Sequence, residues 1–262
     1  MTKRFRQITR IISKFQQTPG RSRLTLSMLA VVSVITLAAS LLLAGCQTVS
    51  GYSAVSLVRA IDASYNAPAI NVFVEGTQLA ANLGQGSITA YGGFGPSRDA
   101  VVKVTGTSNT KTLVTSNATL VANKSQTVLV TDFNADFAIT VLEDQSTPAP
   151  AGHSDFRVLN QAPSTGAVDV YFLPGTSAEI FATAKPVITG LAVGATSGYV
   201  AIPSSTLFMV IAPAGTTLTV TATNIYRSGA LALVGGEVRT VLIVDPVLVT
   251  QPVQVYVAND VN

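Results

Sequence analysis

The sequence predicts an all-β protein: two antiparallel β-sandwiches in tandem behind an N-terminal signal helix. Three observations carry this. Past Gly51 the apolar pattern has a period of two, in short runs rich in Val, Ile, Thr and Ala that Gly, Pro, Asn and Ser interrupt. No segment there shows a 3.6-residue apolar stripe of helical length. The sequence also half repeats itself about a proline-containing spacer.

The leader comes first. Lys3, Arg4, Arg6, Arg10, Lys14, Arg21 and Arg23 are its only charges, and no acid appears before Asp62. An apolar run from Leu24 to Leu43 follows and closes on Leu43-Ala44-Gly45-Cys46, where the only cysteine of the chain stands. Basic residues stay on the cytoplasmic side while an apolar run enters the translocon. Small residues at Ala44 and Gly45 let the chain lie extended in a peptidase cleft. The pattern resembles the lipobox of bacterial lipoproteins, which implies cleavage between Gly45 and Cys46, diacylglycerol on the Cys46 thiol and palmitate-type acylation of the new amine. Several acyl chains hold a protein to a bilayer where one is marginal. An uncleaved membrane-spanning helix is the alternative, since about 20 apolar residues can cross a bilayer; a plain signal peptide cut elsewhere is another. Gln47 follows the cysteine where an Asp would retain the protein at the inner membrane. The outer membrane is therefore favoured, with the periplasmic face of the inner membrane as the other address.

Removing the leader reverses the charge. The chain has 16 basic and 13 acidic residues, a net +3. Without the seven leader cations, nine basic residues face all 13 acids, a net charge of −4. Nucleic-acid binding draws its affinity from Lys and Arg on phosphates, so an anionic, charge-poor chain excludes it. With its only cysteine acylated the fold holds no disulfide, and burial and sheet pairing must stabilise it.

The strands are expected in this order: Val55–Ile61, Ala69–Glu75, Ser87–Tyr91, Ala100–Thr105, Leu113–Val121, Thr127–Thr131 and Phe137–Leu142 in the first half. The second half offers Phe156–Asn160, Ala167–Leu173, Gly198–Ile202, Leu207–Ile211, Thr217–Thr223, Leu231–Val234, Val238–Val244 and Val253–Val257. Short strands at this spacing fit sandwiches of the immunoglobulin or transthyretin kind. Between the halves, Gln145–Ser154 alternates proline with small residues, which holds the chain extended and removes ladder donors. The expected divisions are a signal segment 1–45, a tether 46–54, a first sandwich 55–144, a spacer 145–154 and a second sandwich 155–262. Two separately cored domains would be cut first at the spacer by a protease.

Val58–Glu75, VRAIDASYNAPAINVFVE, aligns without a gap to Phe156–Leu173, FRVLNQAPSTGAVDVYFL. Arg59 pairs with Arg157, Ala69 with Ala167 and Val72 with Val170, while Ile70, Asn71 and Phe73 match Val168, Asp169 and Tyr171. A recurring Arg at equivalent positions reads as a structural pairing near the domain base. The segment from Arg59 to Val74, with Asn82-Leu83, Gly86 and Tyr91 after it and Val141-Leu142-Glu143-Asp144 near the end of the first half, resembles the domain-of-unknown-function 4397 family. The resemblance implies an exported β-sandwich protein, often a lipoprotein and often with tandem copies. The second half departs from the motif, with Gln161-Ala162 for Ala-Ser and Gly166 for the proline. The family supplies no activity and no site residues to transfer.

Catalytic groups are scarce. His153 is the only histidine and falls in the spacer, so no Ser-His-Asp, Cys-His or ordinary zinc set can be assembled. Two carboxylates suffice for glycoside hydrolysis, and Asp132/Asp136 and Glu143/Asp144 are the clusters to weigh; solvated loop acids are the preferred reading of both. Asp132, Asn134 and Asp136 have the oxygen spacing that opens a calcium loop, with Glu143 at its twelfth position. Phe137 stands where that loop needs Gly, so these four are weak metal candidates and a turn between strands is the simpler reading. Tyr91-Gly92-Gly93-Phe94-Gly95-Pro96 lacks the Lys-Ser/Thr of a phosphate loop. Tyr65, Tyr91 and Phe94 could offer aromatic faces to a sugar. No catalytic residue, resident metal or cofactor is expected. The function expected is a lipid-anchored, non-enzymatic binding or structural role in the cell envelope. The alternatives are a carbohydrate-binding or carbohydrate-processing envelope module, and a subunit of a surface assembly joined by sheet augmentation. The partners expected are the bilayer through acylated Cys46 and another envelope protein or a glycan.

Overall fold

The computed structural model describes residues 54–65, 67–132, 136–246 and 251–261. The signal segment, Gly45, Cys46 and Asn134 lie outside the described residues. The first half contains β1 (Ser56–Asp62), β2 (Ile70–Val74), β3 (Thr77–Leu83), β4 (Gly92–Phe94), β5 (Ser97–Gly106), β6 (Thr112–Leu120), β7 (Ser125–Thr131) and β8 (Ala138–Asp144). The second contains β9 (His153–Gln161), β10 (Val168–Leu173), α1 (Ala178–Thr183), β11 (Ile188–Leu191), β12 (Val200–Pro203), β13 (Thr206–Pro213), β14 (Tyr226–Ala232), β15 (Val238–Val244) and β16 (Gln254–Val261).

These strands form four sheets of four. Sheet 1 has the order β3-β2-β5-β6 and sheet 2 the order β4-β1-β7-β8, and together they make the first sandwich. Sheet 3, β12-β9-β15-β16, and sheet 4, β11-β10-β13-β14, repeat the same two orders strand for strand. Pairing is antiparallel except at β1·β7 and β9·β15, which run parallel in the middle of sheets 2 and 3. The fold is thus a pair of sandwiches whose second half reproduces the topology of the first.

Alternation along β1 shows how the layers stack. Val58 and Ala60 point into the first core with Val72, Val74, Val102, Val104, Val128 and Val130. The other face of the same strand carries Arg59 and Ile61, and Ile61 packs with Ala63, Leu129, Leu159, Leu242 and Val244. That second cluster draws on both sheet 2 and sheet 3, so these sheets lie face to face. The second core, with Phe156, Val158, Val170, Ile211, Val241 and Ile243, fills the space between sheets 3 and 4. Burial on both faces explains the unbroken apolar runs 128–130 of β7 and 241–244 of β15. Each sandwich has its own core, and a third cluster joins them.

The outer face of sheet 4 is covered as well. Tyr171, Leu173, Val210 and Ala212 pack under Phe181 of α1 and under Leu218 and Ile225 of the loop before β14. Thr217–Thr223, expected as a strand, belongs to this covering loop, and the strand lies at Tyr226–Ala232. Ser87–Tyr91 is likewise a loop, held against β1 by the Ile61–Ile88 bridge and by the Thr89 hydroxyl, which accepts from the Ala60 amide. The spacer is shorter than its composition suggests, because His153 and Ser154 already pair with Pro203 and Ile202.

Candidate functional site

The buried face between sheets 2 and 3 holds a cluster of charge. Arg59 on β1 crosses to the second sandwich, where its Nη2 donates to Asp260 Oδ1 at 2.5 Å and its Nη1 to the Asn259 carbonyl at 3.2 Å. Arg157 on β9 makes the reciprocal crossing. Its Nη2 donates to Asp144 Oδ1 at 2.6 Å and its Nη1 to the Glu143 carbonyl at 3.1 Å. Each arginine thus supplies donors to a carboxylate and a carbonyl on the last strand of the other sandwich. Arg59 also lies 3.7 Å from Asp144, which links the two halves of the cluster.

The remaining acceptor positions are filled from the carboxylate's own sandwich. Asp144 Oδ2 accepts from Thr127 Oγ1 at 2.6 Å and from the Tyr91 hydroxyl at 2.7 Å. Asp260 Oδ2 accepts from Thr240 Oγ1 at 2.7 Å and from the Tyr199 hydroxyl at 2.6 Å. Each guanidinium lies over its own tyrosine, with Cζ 4.9 Å from the ring centroid of Tyr91 or Tyr199. Eight side chains, four from each sandwich, make a cluster with approximate twofold symmetry. Two cations and two anions balance.

Burial alone would lower the Arg59 guanidinium, but Asp260 and Asp144 beside it hold it above its ordinary value. Burial pushes the Tyr91 and Tyr199 phenols up, so they act as neutral donors to the carboxylates, although the adjacent arginines oppose the shift. Charge-assisted bonds of this kind are the stronger ones, and a buried ion pair is tolerable when its remaining atoms are satisfied. The arrangement joins two sheets and offers no poised base or exposed nucleophile.

The acids weighed from the sequence disperse. Glu143 is exposed and pairs with Lys124 at 2.6 Å. Asp144, its neighbour on the strand, faces the opposite way into the cluster. Glu143 stands opposite Gln126, while Asp132 follows Thr131 at the far end of the β7–β8 hairpin. Six residues of strand, about 20 Å, separate them, so Glu143 does not converge with Asp132 and Asp136 as a twelfth-position ligand would. Among the described residues no group of three or more His, Cys, Asp or Glu could hold a metal ion.

Asp132 is buried, and the Tyr65 amide donates to its Oδ1. Near it Asp62 accepts from the Ser64 amide at 2.9 Å and from the Ser64 hydroxyl. Burial pushes the Asp62 carboxyl up to about 6, the Ser64 bonds oppose this and the Asp132 charge adds to it. Of the aromatic residues proposed as sugar faces, Tyr91 is inside the cluster and Phe94 packs against the first core, which leaves Tyr65 exposed. A shallow cleft of about 410 Å³ opens at the far end of the second sandwich, lined by Ser164, Thr165, Asn224 and Gln251 between Pro213 and Pro252.

Sequence reasoning found the arginines through the repeat and missed their partners. The signal was present: Thr89-Ala90-Tyr91 and Ser197-Gly198-Tyr199 are equivalent, with Thr89 Oγ1 and Ser197 Oγ accepting the Ala60 and Val158 amides at 2.9 and 2.8 Å. Extending the repeat past β2 would have paired the tyrosines.

Residues 56–171 match the model of a family described as a domain of unknown function, DUF4397. The match spans the first sandwich, the connection and β9, and ends within β10. No curated protein matches the chain. Among solved structures, the chain is similar to the family 26 carbohydrate-binding module CBMbc of Amy13K from Eubacterium rectale, crystallised with maltoheptaose. The TM-score is 0.25 at 9% identity, covering 76% of this chain and 95% of that one. At that score nothing of its ligand is carried over.

Proposed function

We propose that this protein is a lipid-anchored component of the bacterial cell envelope, favoured at the outer membrane, with a non-enzymatic binding or structural role. Acylated Cys46 is its anchor, and its second sandwich is a divergent copy of the family domain in the first. The observation that carries the reading is the cluster of Arg59, Asp144, Arg157 and Asp260, which commits these charges to joining the sandwiches. A pair of sandwiches joined through a hydrogen-bonded charge cluster suits display of its loops to a partner better than turnover of a substrate. The equal strand orders of the two sandwiches support the tandem-copy part of the reading. The unique cysteine behind a basic, then apolar leader supports the anchor.

Mass spectrometry of the mature N-terminus tests the anchor. A diacylglyceryl thioether and an acylated amine on Cys46 are expected, and Cys46→Ser should accumulate as unacylated precursor. An unmodified N-terminus elsewhere overturns the lipoprotein reading. Screening the purified protein against glycosidase, esterase, peptidase and phosphatase substrates should give no turnover above background. Activity abolished by changing Asp132, Asp136 or Glu143 singly would overturn the non-enzymatic reading, and retention on a glycan array would select the carbohydrate-binding alternative.

A further inference from the structure

Four of the nine large apolar side chains that are exposed among the described residues stand at one end of the molecule. Val55, Leu57, Val121 and Val234 are 36–60% exposed. Val55 and Leu57 stand where β1 begins, and the turn carrying Val121 closes on them: the Asn123 amide donates to the Val55 carbonyl at 2.8 Å and the Leu57 amide to the Lys124 carbonyl at 2.9 Å. Val234 occupies the corresponding turn before β15, and its carbonyl accepts from Ser154 Oγ at 2.7 Å where β9 begins.

The two turns share one end because the chain crosses it. The connection leaves β8 at Asp144, opposite Ser125, and enters β9 at His153. On the way the Ala149 amide donates to the Gly236 carbonyl, two residues past Val234. The exposed and half-buried acids of this end have cations beside them, Glu143 with Lys124 and Glu237 with Arg239, and Asp99 adjoins Arg98 in sequence, while the buried Asp155 accepts from Gln145. Little net charge opposes approach to an anionic surface. Tyr65 and Val220 are exposed at the opposite end, in the loop after β1 and the loop after β13.

The length of the tether selects the occupant. Eight residues lie between Cys46 and Val55, and the nine steps of chain span at most about 30 Å when fully extended. A lipid on Cys46 therefore holds the Val55 end within that reach of the bilayer, with the opposite end a further strand's length along the chain. We propose that this end rests on the bilayer surface, with Val121 and Val234 as paired contacts in the headgroup region, one from each sandwich. The inference depends on the lipid-anchor reading. The sandwich pair would then stand upright, presenting the Tyr65 and 214–225 loops away from the membrane.

Site-directed spin labelling tests this in the full-length protein, reconstituted in vesicles of phosphatidylethanolamine and phosphatidylglycerol. Single Val121→Cys, Val234→Cys and Val220→Cys variants carry the nitroxide, and the parent takes none when Cys46 is acylated. Labels at 121 and 234 should collide severalfold less with a water-soluble nickel chelate, and more with bilayer oxygen, than the label at 220. Equal nickel accessibility at all three positions, with an unlabelled parent, overturns the docking while leaving the anchor standing. A parent that takes label overturns the anchor and the docking with it.

Discussion

Asp62 and Asn160 occupy equivalent places in the two sandwiches, and the charge that distinguishes them has a measurable consequence. The Gly86 and Gly194 amides donate to their carbonyls at 2.7 Å, and their own amides donate to the Ser87 and Ala195 carbonyls at 3.1 Å. In the second sandwich the neutral Asn160 amide is fully used, donating to the Gly166 and Leu191 carbonyls at 2.9 Å and accepting from Ala162. In the first, the buried Asp62 carboxyl is pushed up to about 6 from 3.8. The folded state thus holds this proton more tightly than the unfolded chain does. Its stabilising contribution is fully present below about pH 4 and is lost as pH rises through 6. An Asp62→Asn variant keeps the acceptor for Ser64 and removes the buried charge. It should be more stable than the parent at pH 8, by about 1–3 kcal/mol, and should lose that advantage at pH 4. Urea unfolding at the two pH values checks this, and a difference that does not change with pH would assign the effect to packing instead.

At the scale of elements, the turn after β3 is shaped by what lies against it. Gly86 has φ of +78°, and a Cβ there would overlap the ring of Tyr256 from the second sandwich. The turn therefore needs glycine twice, for its left-handed backbone and for the closeness of that ring. Gly86→Ala should cost about 1–2 kcal/mol from the backbone alone, and more from displacing Tyr256. Adding Tyr256→Ala should remove the second cost and keep the first, which thermal denaturation of the three variants will separate. Nothing in the first half of the sequence announces that ring. Elements with strong alternation were legible: β2, β5, β7, β10 and β15 fall within a residue or a few of the expected runs, because one or both faces must be apolar. Thr77–Leu83 was missed since it is an edge strand whose Thr, Gln, Ala and Asn face solvent, and Ile188–Leu191 since four residues hold too little pattern. Thr217–Thr223 reads as a strand by its β-branched residues and folds instead as cover for sheet 4, where Leu218 is the residue that packs. The arginines of the cluster were legible because they repeat. Asp144 and Asp260 were not, because the meeting of two strand ends from different sandwiches leaves no local trace.

The whole molecule turns on whether the two sandwiches act together. Prolines in the connection suggest a free spacer, yet its ends are held. Gln145 Nε2 donates to Asp155 Oδ2 at 2.7 Å, the Gln145 amide donates to the Tyr199 hydroxyl at 3.2 Å, and Ala149 is buried. Above the charge cluster, Ile61 and Leu129 from one sandwich pack on Leu159, Leu242 and Val244 from the other. Opening this interface would expose both the apolar layer and four buried charges, so unfolding one sandwich should remove much of what stabilises the second. A single calorimetric transition is expected, with equal calorimetric and van't Hoff enthalpies. Arg59→Met leaves Asp260 buried without the cation that crosses to it, a loss of about 3–5 kcal/mol, and should lower and split that transition as coupling weakens. Limited proteolysis provides the second readout. The parent should resist cleavage at 145–152 until it unfolds, whereas Arg59→Met should be cut there early. Two separate transitions in the parent, or an early cut there that leaves two folded fragments, would mean that the cluster joins the sandwiches without coupling them.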